Sequence, residues 1–320
     1  MNGYISYMDV LGFNNKINAN DFDFKTKYEA LITKVGTQFD RDPKATIYAV
    51  SDSIIMTTQN CASVKAYTKM IYEWGMLDDF WLRGAIAQGD IETIDSTNIV
   101  RENKNIIMPY MGEAYLTAYN LEFKLNMAGI VIDRNVVSDH PDLPLQEDDD
   151  YIEYQEYLPK EGNECKKRIL LPSTNEVIRI TEGLHFTEML GAHAGDIDKY
   201  INTFCFYVKL LITRSDIQNV LNLLDRLIKE LNTYCQYLML PPKTIILFVA
   251  AIDGLFMRTE NPRVDDDNHS LNPYILKILE ALKNHGYLSM FIDYLLEYDK
   301  KRETALYEKV HTILFDKGKK

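Results

Sequence analysis

The chain has 320 residues, 46% of them hydrophobic and 26% charged, with a formal net charge of −12. Such a chain suits a globular protein of about two domains, able to bury its core without disulfide staples. The acidic balance disfavours non-specific capture of nucleic acid or anionic membrane, so a polyanionic ligand would need a local site, with a metal ion to offset the acids.

The opening MNGYISYMDV lacks the basic and long apolar stretches of a signal peptide. No run offers about 18 uncharged apolar residues, so no membrane span is expected. The apolar run TIILFVAAIDGLF is broken by Asp253 and reads as a buried helix. Cys61, Cys165, Cys205 and Cys235 show no C-x-x-C spacing and read as small apolar residues in a reducing compartment, the cytoplasm.

In chain order, YISYMDV reads as a strand, and residues 24–39 as a helix with Tyr28, Leu31, Ile32 and Val35 on one face. TIYAV and SIIMT flank Ser51-Asp52 as a tight hairpin. SVKAYTKMIYEWGML is helical, WLRGAIAQGDI a strand with glycines for close approach, GEAYLTAYNLEFKLNMA a helix and GIVIDRNVV a strand. This β-α-β-β-α-β-α-β order is α+β and ferredoxin-like, with helices expected on one face of the sheet. Residues 139–167, acidic and proline-bearing, read as a surface insertion or irregular edge, and Lys166, Lys167 and Arg168 as a solvated loop. Beyond about residue 196 the pattern is wholly helical, and NPYILKILEALKNHG carries start and stop signals at its two ends. The expected division is residues 1–190 and 191–320.

The chemistry centres on two acids. Asp9 ends a strand just before the flexible Gly12-Phe13 turn, and Asp52 sits in the hairpin turn. If the two elements are neighbours, the carboxylates converge and repel unless a cation lies between them. A carboxylate pair with turn amides is suited to a divalent metal and phosphate oxygens. His185 and Glu188 lie one helical turn apart near His193, but a glycine interrupts the segment, and these histidines read as structural or exposed.

In sequence, Asp9-Val10-Leu11-Gly12-Phe13, Ser51-Asp52-Ser53, LRGAIAQGDI and GEAYLTAYNLE resemble four motifs of the class III nucleotidyl cyclases, in family order, over residues 3–135. The resemblance implies the class III catalytic fold followed by a helical C-terminal region. Asp9, Asp52 and the Val10 carbonyl would hold two Mn2+ or Mg2+ ions, and the Gly12 and Phe13 amides would cradle phosphates. The site would be shared across a homodimer. Tyr48, three residues before Ser51 at the hairpin-glycine position, stands at the base selector, and Pro109 stands three before Gly112. Tyr48 is similar to the selector of the bacterial Pycsar antiphage pyrimidine cyclases. The expected reaction is UTP to 3′,5′-cyclic UMP and pyrophosphate, the product acting on a separate cyclic-nucleotide-gated effector. Cyclic CMP is one alternative; a non-catalytic nucleotide-binding domain is another. The family's helix asparagine and arginine fall on Leu116 and Asn120, so Asn120 would supply a hydrogen bond. Arg83, Arg101 or the KKR cluster would supply the missing positive charge. Glu122 would support the helix motif or balance surface charge.

Overall fold

The computed structural model describes residues 2–13, 22–39, 45–93, 110–136, 150–185, 197–260 and 271–316. The chain divides into two compact units, Met1–Pro172 and Ser173–Lys320.

The first unit is built on a seven-stranded mixed sheet of order β2-β3-β1-β4-β7-β9-β8. Its strands are β1 (Asn2–Val10), β2 (Thr46–Val50), β3 (Ser53–Thr58), β4 (Leu82–Asp90), β7 (Gly129–Ile132), β8 (Tyr151–Tyr154) and β9 (Lys167–Leu170). Among the described strands, only β4 and β7 pair in parallel. A short ribbon of β5 (Glu92–Thr93) and β6 (Tyr110–Met111) leads into helix α3.

The helices are α1 (Phe22–Phe39), α2 (Cys61–Leu77) and α3 (Glu113–Lys124). They do not share one face, as the sequence reading expected. The Gly75 backbone of α2 sits against Leu82, whereas Glu122 of α3 pairs with Arg83. Adjacent strand residues point to opposite faces, so α2 and α3 sandwich the sheet. Helix α1 packs beside α2, with Lys34 3.9 Å over the Trp74 ring and the Phe24 and Phe80 rings 5.2 Å apart. This two-sided cover explains why Gly3 through Met8 are buried without alternation. It also explains the apolar residues on both parities of YISYMDV.

The acidic tract 139–167 is a second departure. Its latter part forms β8, and β9 follows, so that a regular hairpin closes the sheet edge. Lys167 is buried and donates to Glu156 at 2.5 Å, and Arg168 faces Glu153 at 3.5 Å. Two members of the KKR cluster are therefore strand residues with acid partners, not a solvated loop. Residues 137–149, which include His140, lie outside the described residues.

The second unit is helical: α4 (Thr174–Gly183), α5 (Ile197–Arg214), α6 (Ile217–Cys235), α7 (Ile246–Glu260), α8 (Asn272–Asn284), α9 (Leu288–Arg302) and α10 (Leu306–Asp316). Helix α7 is the expected buried helix. Its Asp253 accepts from Lys209 and from the Tyr298 hydroxyl, both at 2.6 Å, which offsets the cost of a buried carboxylate. Buried Arg258 donates at 2.7 Å to the Ile212 and Ser215 carbonyls that α5 leaves unpaired at its end. After α8, Gly286 adopts a φ of +79° and Tyr287 N–H closes back on Leu282 O at 2.8 Å, the turn read from the glycine stop signal. None of the described helices is long and apolar enough to cross a membrane.

Candidate functional site

The sheet brings Asp9 and Asp52 together. Asp9 is the penultimate residue of β1, paired with Ser53 on one side and Arg83 on the other. The hairpin turn docks on the end of β1: Val10 N–H donates to Asp52 O at 3.0 Å. Leu11 N–H then donates to Trp81 O at 2.8 Å, and the chain turns at Gly12 with a φ of +73°. That left-handed turn is why a glycine belongs there. Phe13 commits its ring to an aromatic cluster, 5.5 Å from Phe24 and 5.2 Å from Tyr28, leaving its backbone amide as what it can offer a ligand.

The hairpin is held by residues that sequence reasoning did not assign to the site. Ser51 has a φ of +57°, a strained value for a residue with a Cβ and the place where the resemblance expects glycine. The Tyr28 hydroxyl donates to Ser51 O at 2.7 Å. The hydroxyls of Tyr7 and Ser53 are 3.0 Å apart, and the Tyr7 ring meets Tyr115 and Tyr119 edge-on at 6.0 and 5.6 Å. Burial pushes both tyrosines up to about 12, with the nearby acids adding to it. Both hydroxyls therefore stay protonated at neutral pH. The signal for these roles was faint: Tyr7, two residues before Asp9, looks like ordinary strand composition, and Tyr28 like one more apolar-face residue of its helix.

The electrostatics of the pair is that of an unoffset carboxylate cluster. Asp9 is pushed up to about 7, first by burial, then by the charges of Asp52 and Glu122 and by its side-chain hydrogen bond with Asp52; Arg83 acts in the opposite sense. Arg83 Nη2 lies 3.6 Å from Asp9, its Nε pairs with Glu122, and Nη1 donates to Leu125 O at 3.3 Å. Arg83 is thus turned inward among its own chain's groups. Glu122 is 3% exposed and does not balance charge on the surface.

Tyr48 and Asn120 stand apart from the acids within one chain. Tyr48 pairs with Ile55, two strands from β1 and one side-chain step from the Asp9 row, roughly 12 Å away by strand geometry. It is on the same sheet face as Asp9 and is 37% exposed. Asn120 is exposed on α3, opposite the buried residues Ala114, Ala118 and Glu122. Arg101, Pro109, Glu188 and His193 lie outside the described residues; His185 pairs with Glu230 at 2.8 Å.

Among the described residues no group of three or more His, Cys, Asp and Glu side chains is arranged to hold a metal ion. The two-carboxylate donor set still fits a hard divalent cation, because burial first and then the neighbouring Asp52 and Glu122 charges raise the proton affinity of Asp9, and a cation would offset its charge. Val10 follows Asp9 in sequence, and its N–H is bonded to the Asp52 backbone. No protein-family model matches the chain, and no curated protein matches it.

Proposed function

We propose that the protein is a metal-dependent pyrimidine nucleotide cyclase of the class III type, converting UTP to 3′,5′-cyclic UMP and pyrophosphate. The observation that carries this reading is the convergence of Asp9 and Asp52 on one sheet edge beside the Gly12 turn. CTP, which differs at one exocyclic group, is the close alternative substrate.

Asp9, Asp52 and the Val10 carbonyl would hold the metal. Mn2+ or Mg2+, two per site, would lower the proton affinity of the ribose 3′-hydroxyl and offset the triphosphate charge. The substrate's 3′-oxygen forms a bond to the α-phosphorus as its proton passes to water, and the bond from the α-phosphorus to the pyrophosphate oxygen breaks, the pyrophosphate leaving with that electron pair. The Gly12 and Phe13 amides face the phosphates, and Tyr7 and Tyr28 keep the strand end and hairpin in place. Tyr48 contacts the base, and Asn120 donates to the phosphorane.

Tyr48 lies two strands from Asp9 and Asn120 is on the exposed side of α3, so the reading includes a homodimer with shared sites. The α3 face supports it. Leu116, Tyr119 and Phe123 form a stripe at helical spacing, 58%, 42% and 60% exposed. Tyr48 and Val50 continue the apolar surface on the same face of the sheet. The product would act as a second messenger in antiphage defence through a separate cyclic-nucleotide-gated effector.

One observation favours a second reading. Leu116 is an exposed apolar side chain where the resembled family carries an asparagine, and it can donate no hydrogen bond. A domain that binds nucleotide without turnover would tolerate this. The test is pyrophosphate release with Mn2+. Asp9→Ala and Asp52→Ala should each abolish it while leaving the circular dichroism unchanged. Wild-type turnover by both variants would overturn the two-acid assignment. Nucleotide binding without pyrophosphate release by the wild type would favour the second reading.

A further inference from the structure

We infer that Glu122 is a positioning residue that holds and neutralises Arg83, so that the Asp9–Asp52 pair keeps the charge needed to capture a divalent cation. The inference rests on the metal-site reading above and concerns a residue which that reading leaves without a role.

The geometry starts in the register. Arg83 is directly opposite Asp9 on neighbouring strands, which is the position from which a guanidinium would ordinarily clasp a carboxylate with two parallel hydrogen bonds. It does not. The Arg83 Nη2 to Asp9 distance is 3.6 Å, beyond hydrogen-bond length, while the Nε side of the guanidinium is ion-paired with Glu122 and Nη1 donates to the Leu125 carbonyl. Both of those partners belong to the end of α3. The helix can come this close because the two buried residues one and two turns before Glu122 on its inner face are Ala118 and Ala114. The Glu122 carboxylate therefore reaches the sheet and draws the guanidinium back from Asp9.

The charge count follows. Among the described residues here, three carboxylates and one guanidinium leave two negative charges once Asp9 is ionised, which match the first of the two divalent cations. With Glu122 neutral, a single negative charge would remain. Arg83 would also be released to close on Asp9 and occupy the oxygens a metal needs. These groups are largely removed from water, with Arg83 11% and Glu122 4% exposed at the side chain, so the field of one charge is weakly screened.

The experiment is a titration of the full chain with Mn2+, following the loss of the free-ion electron paramagnetic resonance signal. Nucleotide is absent, so turnover is not the readout. Glu122→Gln keeps an acceptor for Nε and the side-chain volume, and should weaken Mn2+ binding by about tenfold or more. Arg83→Gln/Glu122→Gln, which removes the pair as a neutral unit, should return affinity to within about threefold of wild type. Arg83→Lys/Glu122→Gln restores the positive charge alone and should lose affinity again. If Glu122→Gln binds as tightly as wild type, or if all three variants are equally weak, Glu122 is only a packing residue and the inference fails. If the wild type itself binds no Mn2+, the metal site fails and takes the inference with it, a result distinct from the first two. The double variants keep the test decisive even if Glu122→Gln alone does not fold.

Discussion

Asp9 carries an electrostatic cost in the folded first unit. Its folded-state value of about 7 stands above the ordinary 3.8, so the folded chain binds the proton more tightly than the unfolded chain. Below about pH 4 both states are protonated and the carboxyl costs nothing; the cost to folding builds as pH rises from about 4 and is fully present above 7. Asp9→Asn should therefore stabilise the metal-free protein by about 1–2 kcal/mol at pH 8, well below the full shift because the carboxyl is partly exposed, and by nothing near pH 4. Both tryptophans, Trp74 and Trp81, lie in this unit, so urea unfolding by fluorescence reports on it. A variant less stable than wild type at pH 8 would show that Asp9 makes favourable contacts that outweigh its charge. Asp9 and Asp52 were legible in the sequence because an acid beside a glycine turn and an acid in a hairpin turn are both local patterns. Arg83 and Glu122 were named, but their pairing was not legible, since it depends on strand register and on which face a helix covers.

The hairpin that presents Asp52 shows local strain at the element scale. Ser51 adopts a φ that glycine takes at no steric cost, and the turn is kept by Tyr28 bonding to the Ser51 carbonyl rather than by its own preference. Ser51→Gly leaves that carbonyl in place. It should stabilise the unit by about 0.5–1 kcal/mol in the same urea titration, the relief of strain exceeding the added freedom of the unfolded chain. A lower midpoint would mean that the serine hydroxyl holds the turn. The hairpin and the first three helices were readable because period-2 and period-3.6 patterns are short-range. The β8–β9 hairpin was hidden, since its first strand follows an acidic, proline-bearing tract and buries Tyr151 and Tyr154 rather than alternating. The two-sided placement of α2 and α3 was also unreadable: an apolar helix face says that it packs, not on which side of a sheet.

At the scale of the molecule, the helical C-terminal region was legible from its long amphipathic periods, but its start was not. The structure divides the chain after Pro172 rather than at the expected residue 190, and α4 packs on α5 within the second unit. The first unit carries the functional proposal: an acid pair at one sheet edge, and an exposed apolar stripe with Tyr48 on the face through which a second copy would complete the site. Its central claim is that a single-ring base is chosen by Tyr48 and cyclised at Asp9 and Asp52. The most direct measurement is the product profile of the purified protein given equimolar ATP, GTP, CTP and UTP with Mn2+. The account predicts cyclic UMP as the main product, with cyclic CMP the nearest competitor. It also predicts a tens-fold loss of pyrimidine turnover in Tyr48→Ala, since one base contact and its packing are worth about 1–3 kcal/mol. A purine cyclic nucleotide as main product, or no cyclic product from any of the four, would contradict it.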